Sequence, residues 1–209
     1  MVGINQSRLF ALAPRALQVY RAAFVSADFS LAPFGILENA LRCAHFCAQV
    51  LHESGALTIT TENLNYSPER LMVVWPSRFK TLDAARQFSH NPRALANKVY
   101  GGRMGNTDPD DGWRYIGRGA LQLTGRDSYL KVGTALDLDL VGNPELVLLP
   151  ANILPIAGEI WRDADCNRFA DLDDVVRVSR AINGGLIGLA DRRQWLEKAR
   201  TIVEVPNGT

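Results

Sequence analysis

Most of this sequence repeats its apolar residues at helical spacing, and one long stretch does not. The repeat runs through 5–12, 14–27, 37–54, 67–74, 81–89, 92–99, 152–166, 172–182 and 191–203. Pro14, Ser67-Pro68, Asn91-Pro92 and Asp171 supply start signals, and Gly184-Gly185 supplies a stop. The exception is 100–125, which holds Gly101, Gly102, Gly105, Gly112, Gly117, Gly119 and Gly125. Its end, Ala120-Leu121-Gln122-Leu123-Thr124, alternates weakly and predicts a short strand. The expectation is a mainly α fold with at most a small β element. A glycine-rich loop of this length inside a helical domain is usually functional.

The stretch 37–54 reads LENALRCAHFCAQVLHES. At helical pitch Glu38, Arg42, His45, Gln49, His52 and Glu53 share one arc, and the apolar residues take the rest. For Glu38 and Arg42 this predicts a solvated polar face. Glu53 differs because it falls in the last turn, just before Gly55. The partial negative charge of a helix C-terminus disfavours a carboxylate there and so favours the protonated form a general acid needs. Glu62 follows in Thr60-Thr61-Glu62-Asn63, a polar setting that tolerates a charge. Fully extended, the segment between the two glutamates would span about 30 Å. Residues 55–59 must therefore fold back if both are to face one cleft.

Composition narrows the partners. Hydrophobic residues make up 47% of the 209, charged residues 22%, and the net charge is +1. That suits a single domain with a sizeable core and provides no global basic field for nucleic acid or anionic membranes. No stretch is apolar for long enough to span a bilayer, so no stable membrane insertion is expected. The three cysteines, Cys43, Cys47 and Cys166, form no regular framework and are expected as buried thiols. The start, Met1-Val2-Gly3-Ile4-Asn5-Gln6-Ser7-Arg8, does not read as a secretory signal.

Four linked motifs carry a family resemblance. They are Ala44-His45-Phe46-Cys47-Ala48-Gln49-Val50-Leu51-His52-Glu53-Ser54-Gly55 with Glu62-Asn63-Leu64-Asn65-Tyr66-Ser67; Asn97-Lys98-Val99-Tyr100-Gly101-Gly102-Arg103-Met104-Gly105-Asn106; Asp111 through Arg126; and Ile182-Asn183-Gly184-Gly185 with Gly188-Leu189-Ala190-Asp191-Arg192-Arg193. In order and spacing they resemble family 19 glycoside hydrolases, which hold plant-type chitinases and many bacteriophage endolysins. The resemblance covers about 44–195 and implies a lysozyme-like, two-lobed helical fold with a glycan cleft. A smaller lobe is expected near 65–110, inserted in one catalytic domain spanning 1–209, with no separate wall-binding module.

The resemblance also implies roles. Glu53 falls on the family's general acid, Glu62 on its general base, and Thr124 on the hydroxyl residue that holds the attacking water. Gln122 and Asn183 line the cleft, His52 and Tyr66 are expected beside it, and Arg192 or Arg193 pairs with cleft carboxylates. Trp113 and Tyr115 are candidate aromatic faces for sugar rings, with core packing as the alternative; Trp161 and Trp195 are expected in the core. The chain departs from its relatives at Ala56, where many have Gly, and at Ser128, where many have Asn.

The function implied is hydrolysis of β-1,4 bonds in peptidoglycan by a lysozyme-type, inverting endolysin that lyses its host cell; a chitinase is the alternative. No cofactor and no metal are expected. A zinc amidase finds little support, because His52-Glu53 belongs to no HExxH pair, and a non-catalytic glycan-binding module would not need Glu53, Glu62 and Thr124 together. The expected partners are peptidoglycan glycan strands and no nucleic acid. A monomer is expected in the host cytoplasm, reaching the periplasm and cell wall through a separate holin.

Overall fold

The computed structural model describes residues 1–205. Its first helices are α1 (Gln6–Leu12), α2 (Gln18–Val25) and α3 (Ala27–Leu31), then α4 (Ala40–Glu53). Next come α5 (Pro68–Val74), α6 (Leu82–Arg86), α7 (Pro92–Tyr100) and the single turn α8 (Asp111–Arg114). The last five are α9 (Arg126–Leu136), α10 (Pro150–Asp163), α11 (Cys166–Asp171), α12 (Val175–Asn183) and α13 (Leu189–Arg200). Two strands, β1 (Gly3–Ile4) and β2 (Val203–Glu204), pair antiparallel and join the two ends of the described chain.

Side-chain caps set several starts. Asn39 accepts from the Arg42 N–H, Ser67 from Arg70, Thr81 from Ala84, Asn91 from Ala94 and Asp174 from Arg177. Two expected helices divide: 14–27 begins only at Gln18 and breaks at Ser26, and 152–166 ends at Asp163, where Asp165 turns left-handed. The periodicity missed α9, which starts after Gly125 at φ 85 without a side-chain cap. The short strand expected at 120–124 does not form. Gly119 (φ 80) and Gln122 (φ 52) curl that segment into a tight turn, closed by Arg118 N–H to Leu123 O (3.1 Å) and Leu123 N–H to Arg118 O (2.8 Å).

The central helix α4 is buried on both sides. Its apolar face joins a core with α1–α3, α10 and α13, where Trp161 meets Phe46 edge-on at 5.6 Å between centroids. All three cysteines are free and buried, and Trp195 packs half-buried against the same core. Of the two residues expected to be solvated, Glu38 is exposed and Arg42 is largely covered, while α13 lies along the rest of the polar arc. His45 and Gln49 are fully buried, and Arg42 is bound to Asp171 (2.7 Å) and Glu38. A second apolar cluster, with Leu64, Leu71, Phe79, Leu95, Val99 and Ile116, gathers α5 to α8. A third, around Tyr115, Tyr129, Leu140 and Val147, seats α9.

Candidate active site

Glu53 is the last residue of α4, and the chain reverses immediately after it. Gly55, Ala56 and Leu57 take φ values of 55, 56 and 63, three successive left-handed residues. The Ala56 N–H returns to Leu51 O (2.7 Å), and the Leu57 N–H is accepted by the Ser54 hydroxyl (2.9 Å). The buried Tyr20 hydroxyl then donates to Ile59 O (2.6 Å), fixing the returning strand of chain. This is the fold-back that the spacing of the two glutamates demands.

The returning segment 60–62 pairs with the glycine-rich loop. Gly119 N–H donates to Thr60 O (2.7 Å) and Glu62 N–H to Gly117 O (2.9 Å). The Glu62 carboxylate is held at both oxygens: Gly117 N–H donates to Oε1 (2.7 Å) and the Tyr100 hydroxyl to Oε2 (2.8 Å). Around Gly117 three candidate site side chains converge. A β-carbon there would stand 2.9 Å from Gln122 Oε1, 3.2 Å from Thr124 Oγ1 and 3.4 Å from Glu62 Oε1. Only glycine leaves that space open. Arg118 braces the loop from within, reaching Glu145 (2.8 Å), Arg114 O (2.8 Å) and the Tyr129 hydroxyl (3.1 Å).

Glu53 sits in a different setting. It is part-buried, and its carboxylate pairs with the guanidinium of Arg192, which also reaches Gln49 Oε1. Arg192 is 1% exposed, whereas Arg193 lies exposed on the outer face of α13. Arg192 is therefore the arginine that meets a carboxylate, and it sets an opposing positive charge against the helix-end field at Glu53. Beside it His52 Nδ1 hydrogen-bonds Asp191 (2.6 Å), with its ring over Gly188.

The other expected contacts divide. Gln122 and Thr124 line a pocket of about 240 Å³ with Ser128, Lys131, Asp163 and Ile182. Asn183, exposed, directly follows Ile182 at the end of α12, its amide near Ile187 O (3.4 Å). Tyr66 packs edge-on to Trp75 at 5.3 Å, and Trp113 is half-buried against the second cluster. Tyr115 is corrected: it is 2% exposed, its ring sits against Tyr129 and its hydroxyl donates to Val141 O (3.1 Å). A ring packed inside the third cluster offers no face to a sugar. Tyr100 lies within the second motif, yet sequence reasoning does not find it as a site residue; it sits 38 positions from Glu62, beyond any helical or strand spacing.

The helical body thus carries two candidate acidic side chains, Glu53 salt-bridged at a helix end and Glu62 held between a backbone N–H and a tyrosine hydroxyl, in a lysozyme-like fold. The solved structures agree at the level of fold. Chitinase C from Streptomyces griseus HUT6037 superposes with a TM-score of 0.65 over 95% of this chain and 91% of that one, at 18% identity. A bacterial family 19 chitinase gives 0.64 over 99% and 98%, at 21% identity. In sequence, a glycosyl hydrolase family 19 domain-containing protein of Haemophilus influenzae is 38% identical over 157 residues, 74% of this chain and 76% of that one. Chitinase 8 of Oryza sativa subsp. japonica is 51% identical over 47 residues, 22% of this chain and 18% of its own. No family model matches the chain. The chain belongs to glycosyl hydrolase family 19.

Proposed function

We propose that this glycoside hydrolase cleaves the β-1,4 glycan of peptidoglycan with inversion, as a cell-lysing enzyme of the endolysin kind. The convergence of Glu62, Thr124 and Gln122 on the bare α-carbon of Gly117 carries the reading. A water held there by the Thr124 hydroxyl attacks the anomeric carbon while Glu62 takes its proton. Glu53 gives a proton to the departing glycosidic oxygen as that C–O bond breaks. Inverting enzymes keep their carboxyl groups about 6.5–9.5 Å apart to admit this water. Arg192 holds Glu53 in place and recovers a full ion pair once the proton has left. Gln122, Asn183, His52, Tyr66 and Trp113 border the path of the sugars.

Peptidoglycan is favoured over chitin by the pocket beside Thr124. Its lining mixes apolar Leu123, Val132, Ile160 and Ile182 with polar Gln122, Thr124 and Ser128, and includes the ion-paired Lys131 and Asp163. Alternate sugars of peptidoglycan bear a lactyl group that leads into a charged peptide, and chitin bears neither. The pocket has the room and the chemistry for such a substituent. In the same reading the enzyme acts as a monomer and reaches the wall from the cytoplasm through a holin.

One digest of purified Gram-negative peptidoglycan tests this. Reducing ends should rise with time, free amines should not, and EDTA should leave the rate unchanged, because the steps use carboxylates and water. Glu53→Gln and Glu62→Gln should be inactive. Amines rising without reducing ends, with inhibition by EDTA, would replace this reading by a zinc amidase. Reducing ends from chitin alone would make the enzyme a chitinase.

A further inference from the structure

We infer that Tyr100 is a positioning residue for the base, and that the glycine loop 101–106 serves to hold it there. The inference rests on the assignment of Glu62 as base. Of the two donors that Glu62 meets among the described residues, one is the backbone of Gly117 and the other is the Tyr100 hydroxyl. With one oxygen bound to each, the carboxylate cannot rotate away from Thr124.

Tyr100 is the last residue of α7, so its place depends on how that helix ends. Leu95, Ala96 and Val99 bury the helix, and Asn97 ties it to Asp110 (3.0 Å) and to the Trp113 N–H (2.7 Å). Beyond Tyr100 the chain folds onto the first turn of α9. Asn106, 1% exposed, donates to Tyr100 O (3.0 Å), while its own Oδ1 accepts from Arg126 N–H (2.9 Å). Asp127 N–H donates to Met104 O (3.0 Å). The approach is so close that a β-carbon on Gly105, at φ 76, would lie 2.0 Å from Asp127 Oδ1. The loop is thus a clamp between α7 and α9, and the group it fixes in the cleft is a phenol.

The phenol suits the task. Burial, and then the Glu62 charge, push its pKa well above the ordinary range for tyrosine, so it stays a donor throughout the working range of pH. Tyr66 and Arg103 are the other titratable groups that act on it, and Tyr129, itself pushed up to about 12 by burial, feels Glu62 from α9. The ring packs half-buried with the second apolar cluster, which phenylalanine would preserve. Tyr100→Phe therefore removes the donor and little else.

On soluble glycan strands freed from peptidoglycan, Tyr100→Phe should lower kcat about tenfold, leave KM within about twofold, and move the acidic limb of the pH–rate profile up by about one unit, the scale of one hydrogen bond to a charged group. Its melting temperature should stay close to that of the parent. Gly105→Ala should act in the same direction on the parent and add little to Tyr100→Phe, because both work through one contact. A Tyr100→Phe enzyme with parental kcat and an unmoved acidic limb would overturn the inference. Turnover retained by Glu62→Gln would instead overturn the assignment of the base, and this inference with it.

Discussion

The guanidinium of Arg192, on the last helix, is buried against the carboxylate of Glu53, 139 positions earlier in the chain. Gln49, one turn before Glu53 on the same helix, accepts from the other arm of the fork. Removing one member of a buried pair strands the other. Arg192→Met should cost about 3 kcal/mol and lower the melting temperature by about 6–12 °C. Thermal melts of Arg192→Met, Glu53→Gln and the double variant should be strongly non-additive. Additive losses would show that the two side chains do not support each other.

Gly117 should resist even a methyl group. Its backbone takes no left-handed angle, and the nearest atom is the movable end of Gln122, so Gly117→Ala should fold. The methyl would stand between Glu62 and Thr124. Misplacement on that scale should reduce turnover about a hundredfold. Thr124→Ala should lose less than either glutamate variant, and Thr124→Ser should retain more than Thr124→Ala. Reducing-end assays on peptidoglycan rank the variants, and equal activity of the Ser and Ala variants would remove the hydroxyl from the mechanism.

Ala56 stands at φ 56, a left-handed angle that favours glycine. A side chain in this conformation costs roughly 1–2 kcal/mol, and glycine gives part of that back through the freedom of the unfolded chain. Ala56→Gly should stabilise by about 0.5–1 kcal/mol and raise the melting temperature by about 1–4 °C. No change in melting would mean the neighbouring hydrogen bonds already absorb the strain.

His45 predicts how stability varies with pH. Burial holds its imidazole below the ordinary 6.5, against the raising pull of Asp173. The unfolded chain therefore takes up a proton below 6.5 that the folded protein refuses. Stability is complete above that value and falls as the pH drops beneath it. Asp171, held low by its hydrogen bond from Arg42, contributes in another window: its share is present above 3.8 and lost as pH falls through its lower folded value. Melting curves between about pH 5 and 7 should slope in the parent and flatten in His45→Gln. An unchanged slope would assign the effect elsewhere.

The parts of the fold legible in the sequence had a local cause. The helix at 40–53 shows in its periodicity. The same periodicity separates Arg192 from Arg193 once α13 is known to pack inward, since Arg192 shares a helical face with the buried Leu196 and Ala199. The need for a reversal at 55–59 comes from chain length alone. The helix at 126–136 stayed hidden because Gly133 interrupts its pattern and Asp137, not glycine, takes the left-handed cap. The burial of His45 and Gln49 was hidden too, because a polar arc looks the same whether water or another helix covers it. Tyr100 and Tyr115 show the same limit: only the folded chain says which tyrosine meets a carboxylate and which is core.

The pairing of β1 with β2 has a use outside catalysis. Gly3 and Ile4 lie against Glu204 and Val203, and the Asn5 amide and Arg8 guanidinium reach Glu204 (2.5 Å) and Thr201 O (3.1 Å). The backbone of residues 3–204 is thus nearly a closed ring, and a short peptide spliced across this seam would have little distance to cover. A new opening could then be cut at the exposed Pro76-Ser77 turn between α5 and α6. Such a circular permutant would keep the cleft while moving the handles for immobilisation or fusion to a part of the surface chosen by the experimenter.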